Sequence, residues 1–422
     1  MFLKNGRKKL ENKLVKNFAS LSILKASNFL LSWLLYPYII RMVGIAHFGE
    51  IVLAQSIMLY FVIFTDYGFS LSAPREIARL YTTHPKECNA QVSSFLFAQI
   101  VLGCISFVGL ILLTQSIPFF AKKASLLCLS FMIVLGQSAI PAWIFQGIER
   151  MEYLAWFNLI AKLLFVVGVW WVLQTPDDYL WVNFVWGAAH LLAGTLAWGI
   201  LVKRFGFKIG LVSFKKIIAI IKRDFHLFIA NLTNVVIFNS SVIMLGFFVD
   251  DKTLGVYSIA DRIFLFVRQL VVITHQTVYP RITQLAEKSK QEVNNFFRTF
   301  VRWGIILGLP ACLLFLTIAP WIVYVFAEKY LSDTTIFIRI LSFTPLLALL
   351  NIPASQSLLV FGKERLYTRL STLAVVFHSI VSLGLIYFYQ GYGAAWAMLL
   401  TELFLLGIFN YTSYTQKLFP AS

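Results

Sequence analysis

Apolar stretches long enough to cross a membrane recur along this chain, and they leave one class of fold open. Spanning about 30 Å of hydrocarbon takes roughly 20 helical residues at about 1.5 Å each. Runs of that length lie near 18–40, 48–71, 92–116, 125–146, 153–173, 179–202, 225–248, 254–280, 300–325, 334–360, 368–389 and 392–415. Backbone polar groups in hydrocarbon must be satisfied within the segment, so each run reads as a helix. The 422 residues are 59% hydrophobic and 13% charged. The expected fold class is an all-α membrane protein with about 12 transmembrane helices. The connections are short and leave no room for a separate soluble domain.

Charge placement sets the expected orientation. With the N-terminus inside, most of the 36 Lys and Arg residues fall on the inner side. The opposite side carries only Arg41, Lys122, Lys123, Lys252 and Lys329, alongside acidic residues such as Asp177, Asp178, Asp250 and Asp251. This asymmetry is the positive-inside pattern of an inner-membrane protein, with N- and C-termini cytoplasmic. The net charge of +17 is therefore topological and does not imply nucleic acid. The first run lacks a small-residue cleavage signature and reads as a retained span. The 4 cysteines show no paired spacing, so neither disulfides nor a metal site is expected.

The basic stretch 203–224 divides the chain into two sets of six spans: a bundle at 1–202, a cytoplasmic linker at 203–224 and a second bundle at 225–422. The halves are related. At one constant offset Lys16 falls on Lys222, Asn28 on Asn234, Gly49 on Gly255, Ala54 on Ala260, Pro74 on Pro280 and Arg75 on Arg281. Farther on, Gly147-Ile148-Glu149-Arg150 matches Gly362-Lys363-Glu364-Arg365 at a larger offset. Six spans is an even number, so the repeats are parallel, giving two pseudo-symmetric six-helix bundles.

Departures from that symmetry mark candidate site residues. In the run 254–280, Asp261, Arg262 and Arg268 stand where the first repeat has Gln55, Ser56 and Val62. Each charge would cost about 2.5–3.5 kcal/mol at a helix centre in the bilayer, so it must face protein or water. Asp261, Arg268 and His275 share one helical stripe, and Arg262, Gln269 and Gln276 the next. One carboxylate does not neutralise two arginines, and the surplus invites an anion. The plainer reading is that Asp261 merely answers an arginine in a helix contact. Lys25, with Asn28 on its face, is replaced by Asn231 in the second half; it either binds an anion or snorkels to the surface. Lys162 lies mid-span beside Asn158 and either enters the site or pairs with Glu402. Asp261 and Glu402 are the candidates for coupling to H+ or Na+. Asn28, Asn158, Asn183, Asn231, Asn234 and Gln55 are candidate polar cavity walls. His190 and His378 read as packing histidines, and Arg339 as snorkelling outward. Asp66 either pairs with Arg75 or caps a helix. Pro141, Pro345 and Pro353 are expected kinks.

The residues Gly44-Ile45-Ala46-His47-Phe48-Gly49-Glu50, Gln55, Asp66-Tyr67-Gly68-Phe69 and Arg75-Glu76-Ile77-Ala78-Arg79 resemble the opening signature of polysaccharide-repeat-unit (O-antigen type) flippases. These are relatives of the MATE drug exporters. The resemblance implies a MATE-like, V-shaped pair of bundles with a cationic central cavity. It implies movement of an undecaprenyl-diphosphate-linked oligosaccharide from the cytoplasmic to the periplasmic leaflet by alternating access, with no cofactor. Lys25, Arg262 and Arg268 are the positions onto which the family's cavity charges carry over. Implied partners are that substrate, membrane lipids, a polysaccharide polymerase and a chain-length regulator. Lipid-II flippases of the superfamily usually have fourteen spans, so that role is not expected. The alternative is a MATE-type or other six-plus-six, ion-coupled antiporter of a small soluble substrate. An enzyme is disfavoured, because no loop is long enough to hold a catalytic domain.

Overall fold

The structure, a computed structural model, describes the backbone of residues 2–416 and the side chains of 31, 34–233, 235–237 and 239–416. Among the described residues every regular element is helical. In chain order they are α1 (Phe2–Asp66), α2 (Phe69–Leu80), α3 (Pro85–Ser116), α4 (Pro118–Ala121), α5 (Ala124–Ser130), α6 (Met132–Ala139), α7 (Ala142–Gly147) and α8 (Met151–Val172). A 3-10 turn (Pro176–Asp178) then precedes α9 (Tyr179–Phe205), α10 (Phe214–Phe248), α11 (Asp251–Lys288) and α12 (Lys290–Ala327). The chain closes with α13 (Ser332–Leu341), α14 (Thr344–Val360) and α15 (Glu364–Thr415).

Of the described helices, 8 are long and apolar enough to cross a membrane, or 9 if the bent pair within α10 counts as one span. The longest contain breaks. Gly44 interrupts α1 at φ 79° and ψ 169°, a left-handed conformation that glycine adopts without a Cβ clash. Gln390 interrupts α15 at φ 51° and ψ −125°. The helix α11 is absent from that set and carries Asp261, Arg262 and Arg268 in its middle. The chain is a multi-pass all-α membrane protein. Proline acts as expected at Pro141, between α6 and α7, and at Pro345 in the first turn of α14. Pro353 lies inside α14, which continues through it.

The chain separates into two compact units: residues 1–43 with 54–232, and 44–53 with 233–422. In the first unit an aromatic core of Phe69, Phe95, Trp143, Phe145 and Phe157 gathers α2, α3, α7 and α8. The basic linker folds onto this same core: Phe207, Ile217 and Ile220 are buried in it, and Phe228 stacks on Tyr67 at 4.8 Å. Asp224, 2% exposed, accepts a 2.6 Å bond from Ser72 and holds Arg223 at 2.7 Å. Arg223 also pairs with Glu76. The hydrogen bond to Asp224, then the charges of Glu76 and Asp224, hold its guanidinium pKa above the ordinary range despite partial burial.

The second unit contains a direct trace of the sequence repeat. Gly49 and Gly255, equivalent by offset, pack backbone to backbone: a Cβ on Gly49 would sit 2.6 Å from the Gly255 nitrogen. A Cβ on Gly255 would collide with the Ile45 carbonyl. Only glycine fits such a crossing. At the helix ends Asp178 accepts from the Thr175 backbone at 2.7 Å, and Asp250 stands immediately before α11. Hydrogen bonding from Thr175 and from Thr253, respectively, keeps both carboxyls below the ordinary range, as befits turn residues.

Candidate functional site

The helical period brings Tyr257, Asp261 and Arg268 to one side of α11, as their spacing requires. In the second unit that side meets the final leg of α15. Arg268 Nη2 donates to Glu402 Oε1 at 3.3 Å, where the glutamate side chain is 4% exposed and the arginine side chain 17%. Arg262 and Arg268 both act electrostatically on Asp261, and Tyr257 feels Asp261 and Arg268. The residue before Glu402 continues the network: Thr401 Oγ1 lies 2.8 Å from His378 Nδ1. His378 Nε2 lies 3.3 Å from the hydroxyls of Ser241 and of Ser382. His378, Ser382 and Thr401 are fully buried.

Two chemical capacities follow. A partly open arginine held by a buried carboxylate can exchange that partner for a phosphate, since guanidinium matches either oxyanion bidentately. The released carboxylate can take a proton, and the three hydroxyls around His378 reorient by rotation to serve either imidazole tautomer. Removing one partner of such a buried pair leaves the other uncompensated.

The sequence-based expectations meet this arrangement unevenly. Arg262, Arg268, Asp261 and Glu402 come together. The positive surplus inferred from α11 alone does not survive, because Glu402 arrives from α15 and brings two arginines and two carboxylates to formal balance. Glu402, offered by the sequence as a partner for Lys162, pairs with Arg268. Lys162 belongs to the first unit, 5.5 Å from the Phe165 ring centroid and close enough to influence His190. Asn231 is half-buried on α10 and also falls in the first unit. The side chains of Lys25, Asn28 and Asn234 lie outside the described residues.

Several supposed cavity walls are instead internal ties. Gln55 Nε2 donates to Asn183 Oδ1 at 2.8 Å, and Asn183 Nδ2 donates to Ser130 Oγ at 2.9 Å. Asn158 Nδ2 donates to the Leu154 carbonyl at 2.9 Å within its own helix. Asp66, at the end of α1, accepts from Ser70 Oγ at 2.9 Å, and Arg339 Nε donates to the Leu316 carbonyl at 3.2 Å. His190 bonds the Trp186 carbonyl at 2.9 Å, the packing role expected of it. Tyr257 escapes the sequence reading, whereas His378, read there as a packing histidine, is buried and hydrogen-bonded. Their i,i+4 neighbours Ser382 and Asp261 were visible in the sequence, but the hydroxyls of Ser241 and Thr401 reach His378 only through the fold. Among the described residues no group of three His, Cys, Asp or Glu side chains is placed to hold a metal.

The family model for polysaccharide biosynthesis proteins matches residues 14–286. The chain belongs to that family. A second family model, MatE, matches residues 227–383. The protein named "Putative O-antigen transporter" in Escherichia coli (strain K12) is 25% identical over 388 residues, covering 92% of this chain and 93% of its own. Its namesake in Shigella dysenteriae is 24% identical over 398 residues, covering 93% and 98%. Both relatives are named as transporters, not enzymes. Among solved structures the chain is similar to a lipid II flippase, MurJ, in an inward closed conformation, with TM-score 0.74 and 14% identity over 93% of this chain and 87% of that one. It is also similar to an inward-facing multidrug resistance MATE family transporter of the MOP superfamily, with TM-score 0.69 and 12% identity over 92% and 94%. These two likenesses establish the fold.

Proposed function

We propose that the protein is a bacterial inner-membrane flippase. It carries an undecaprenyl-diphosphate-linked oligosaccharide, an O-antigen or related repeat unit, from the cytoplasmic to the periplasmic leaflet by alternating access. On this reading the chain crosses the membrane twelve times with both termini cytoplasmic. The observation that carries it is the Arg268–Glu402 pair, which joins α11, with Asp261 and Arg262, to the apolar helix α15 in a polysaccharide biosynthesis family member. A diphosphate is too costly to pass bare through hydrocarbon and needs cations within the span. In the resting protein Glu402 serves as counter-ion for Arg268. An arriving diphosphate displaces it, and Glu402 takes up a proton or faces Na+ until the substrate leaves. Lys25 and Arg262 supply further positive charge, Lys162, Asn28, Asn231 and Asn234 are the remaining candidate contacts, and the prenyl tail stays in lipid.

The test is complementation in a strain deleted for the protein. Arg268→Ala together with Lys25→Ala, at equal membrane levels, abolishes surface polysaccharide and leaves prenyl-linked oligosaccharide on the inner leaflet; full surface polysaccharide refutes the assignment. A second reading, an ion-coupled drug antiporter, is favoured by the MatE match at 227–383, which contains Asp261, and by the carboxylate of Glu402 beyond it. It predicts altered drug resistance in the deletion strain with surface polysaccharide intact.

A further inference from the structure

The linker that sequence reading treats as a divider has two faces in the structure. Its inner face is locked to the first unit. Phe207, Ile217, Ile220 and Asp224 are buried, and the Lys208 and Gly210 nitrogens donate to Asn89 Oδ1 at 3.2 Å and Ser93 Oγ at 3.0 Å. Its outer face is apolar and cationic at once. Leu211 is 100% exposed, Phe214 64% and Phe225 54%, with Ile209 and Ile218 beside them. Lys208, Lys215 and Lys222 are exposed between these residues. On α10, Phe214, Ile218, Lys222 and Phe225 fall at i, i+4, i+8 and i+11, one continuous stripe.

A fixed leucine and two phenylalanines held out beside lysines are poorly suited to water. They match the boundary between headgroups and acyl chains of an anionic leaflet, where apolar side chains insert and lysines meet phosphates. The linker leaves directly from α9, a spanning helix, on the basic side of the chain, so it begins at headgroup depth. Beside it a cavity of about 290 Å³ is lined by Gln91, Ser94, Lys216 and Arg223. Arg223 is committed to Asp224 and Glu76, so Lys216 carries the cavity's attraction for a phosphate.

We infer that the outer face of residues 209–225 is a docking surface for anionic phospholipids of the inner leaflet, with a headgroup phosphate at Lys216 and with Leu211, Phe214 and Phe225 in the upper acyl region. This rests on the multi-pass membrane reading and not on which substrate is carried. The test uses the full chain with Leu211→Cys carrying an environment-sensitive fluorophore, with labelled parent protein as background. It is reconstituted in phosphatidylcholine alone or mixed with phosphatidylglycerol. The expected result is a blue-shifted emission, roughly twofold brighter in the mixed vesicles. It weakens in high salt and is lost in Lys208→Gln/Lys215→Gln/Lys222→Gln, with Lys216→Gln alone giving a smaller loss that guards against misfolding of the triple variant. Equal emission in both lipid mixtures, whether shifted or not, overturns the inference. So does a lysine-independent shift, or an equal shift produced by inorganic phosphate added to phosphatidylcholine vesicles.

Discussion

At equivalent positions of the two repeats the chain buries two different kinds of polarity. In the first unit Gln55, Asn183 and Ser130 form a neutral ladder that ties α1, α9 and α5 together with bonds of 2.8 and 2.9 Å. In the second, the counterpart of Gln55 is Asp261, and the surrounding groups are Arg262, Arg268, Glu402 and His378. The neutral ladder satisfies its members against each other and leaves little to exchange. The charged cluster is held at 3.3 Å by an arginine still 17% exposed, so its partner is replaceable. One half of the duplicated scaffold buries neutral polarity at this position, and the other buries charge.

Removing charge from the second unit breaks this contrast most sharply. Arg268→Ala strands Glu402 without a counter-ion and lowers stability by about 3–5 kcal/mol; thermal unfolding of the purified protein measures it. Asn183→Leu removes the bonds to Gln55 and Ser130, for a loss of about 1–3 kcal/mol. Transport per folded molecule survives that change, since no exchangeable group is lost. If Asn183→Leu silences transport at full folded yield, the distinction between the halves fails. The smallest effect is expected at Ser72→Ala. It removes one bond to Asp224 while Arg223 remains in place, for about 1 kcal/mol and no change in transport, read by the same melt and a polysaccharide assay.

Much of this was legible before any coordinates. The apolar runs predicted an all-helical membrane fold, and the Gly49 and Gly255 pairing became a physical contact. The charged stripe on α11 was visible because helical period alone puts Asp261 and Arg268 together. What the stripe faces was not legible. Glu402 lies on α15, far along the chain, and only packing decides that it meets Arg268 instead of Lys162. Likewise Gln55 and Asn183 read as loose cavity polarity until the fold showed Gln55 bonded to Asn183 and Asn183 to Ser130. A polar residue in an apolar helix announces that it needs a partner without saying which one. His378 shows the limit most clearly, since its ligating hydroxyls come from α10 and from both legs of α15.

The most direct measurement compares wild type with Arg268→Gln/Glu402→Gln in vesicles loaded with prenyl-diphosphate-linked oligosaccharide. The double variant removes both charges together, so neither partner is left as an uncompensated buried ion. Transfer slower by more than about tenfold, roughly 1.4 kcal/mol in the barrier, is the predicted result. Transfer at the wild-type rate would show that the buried charges hold the helices together and never touch the phosphate.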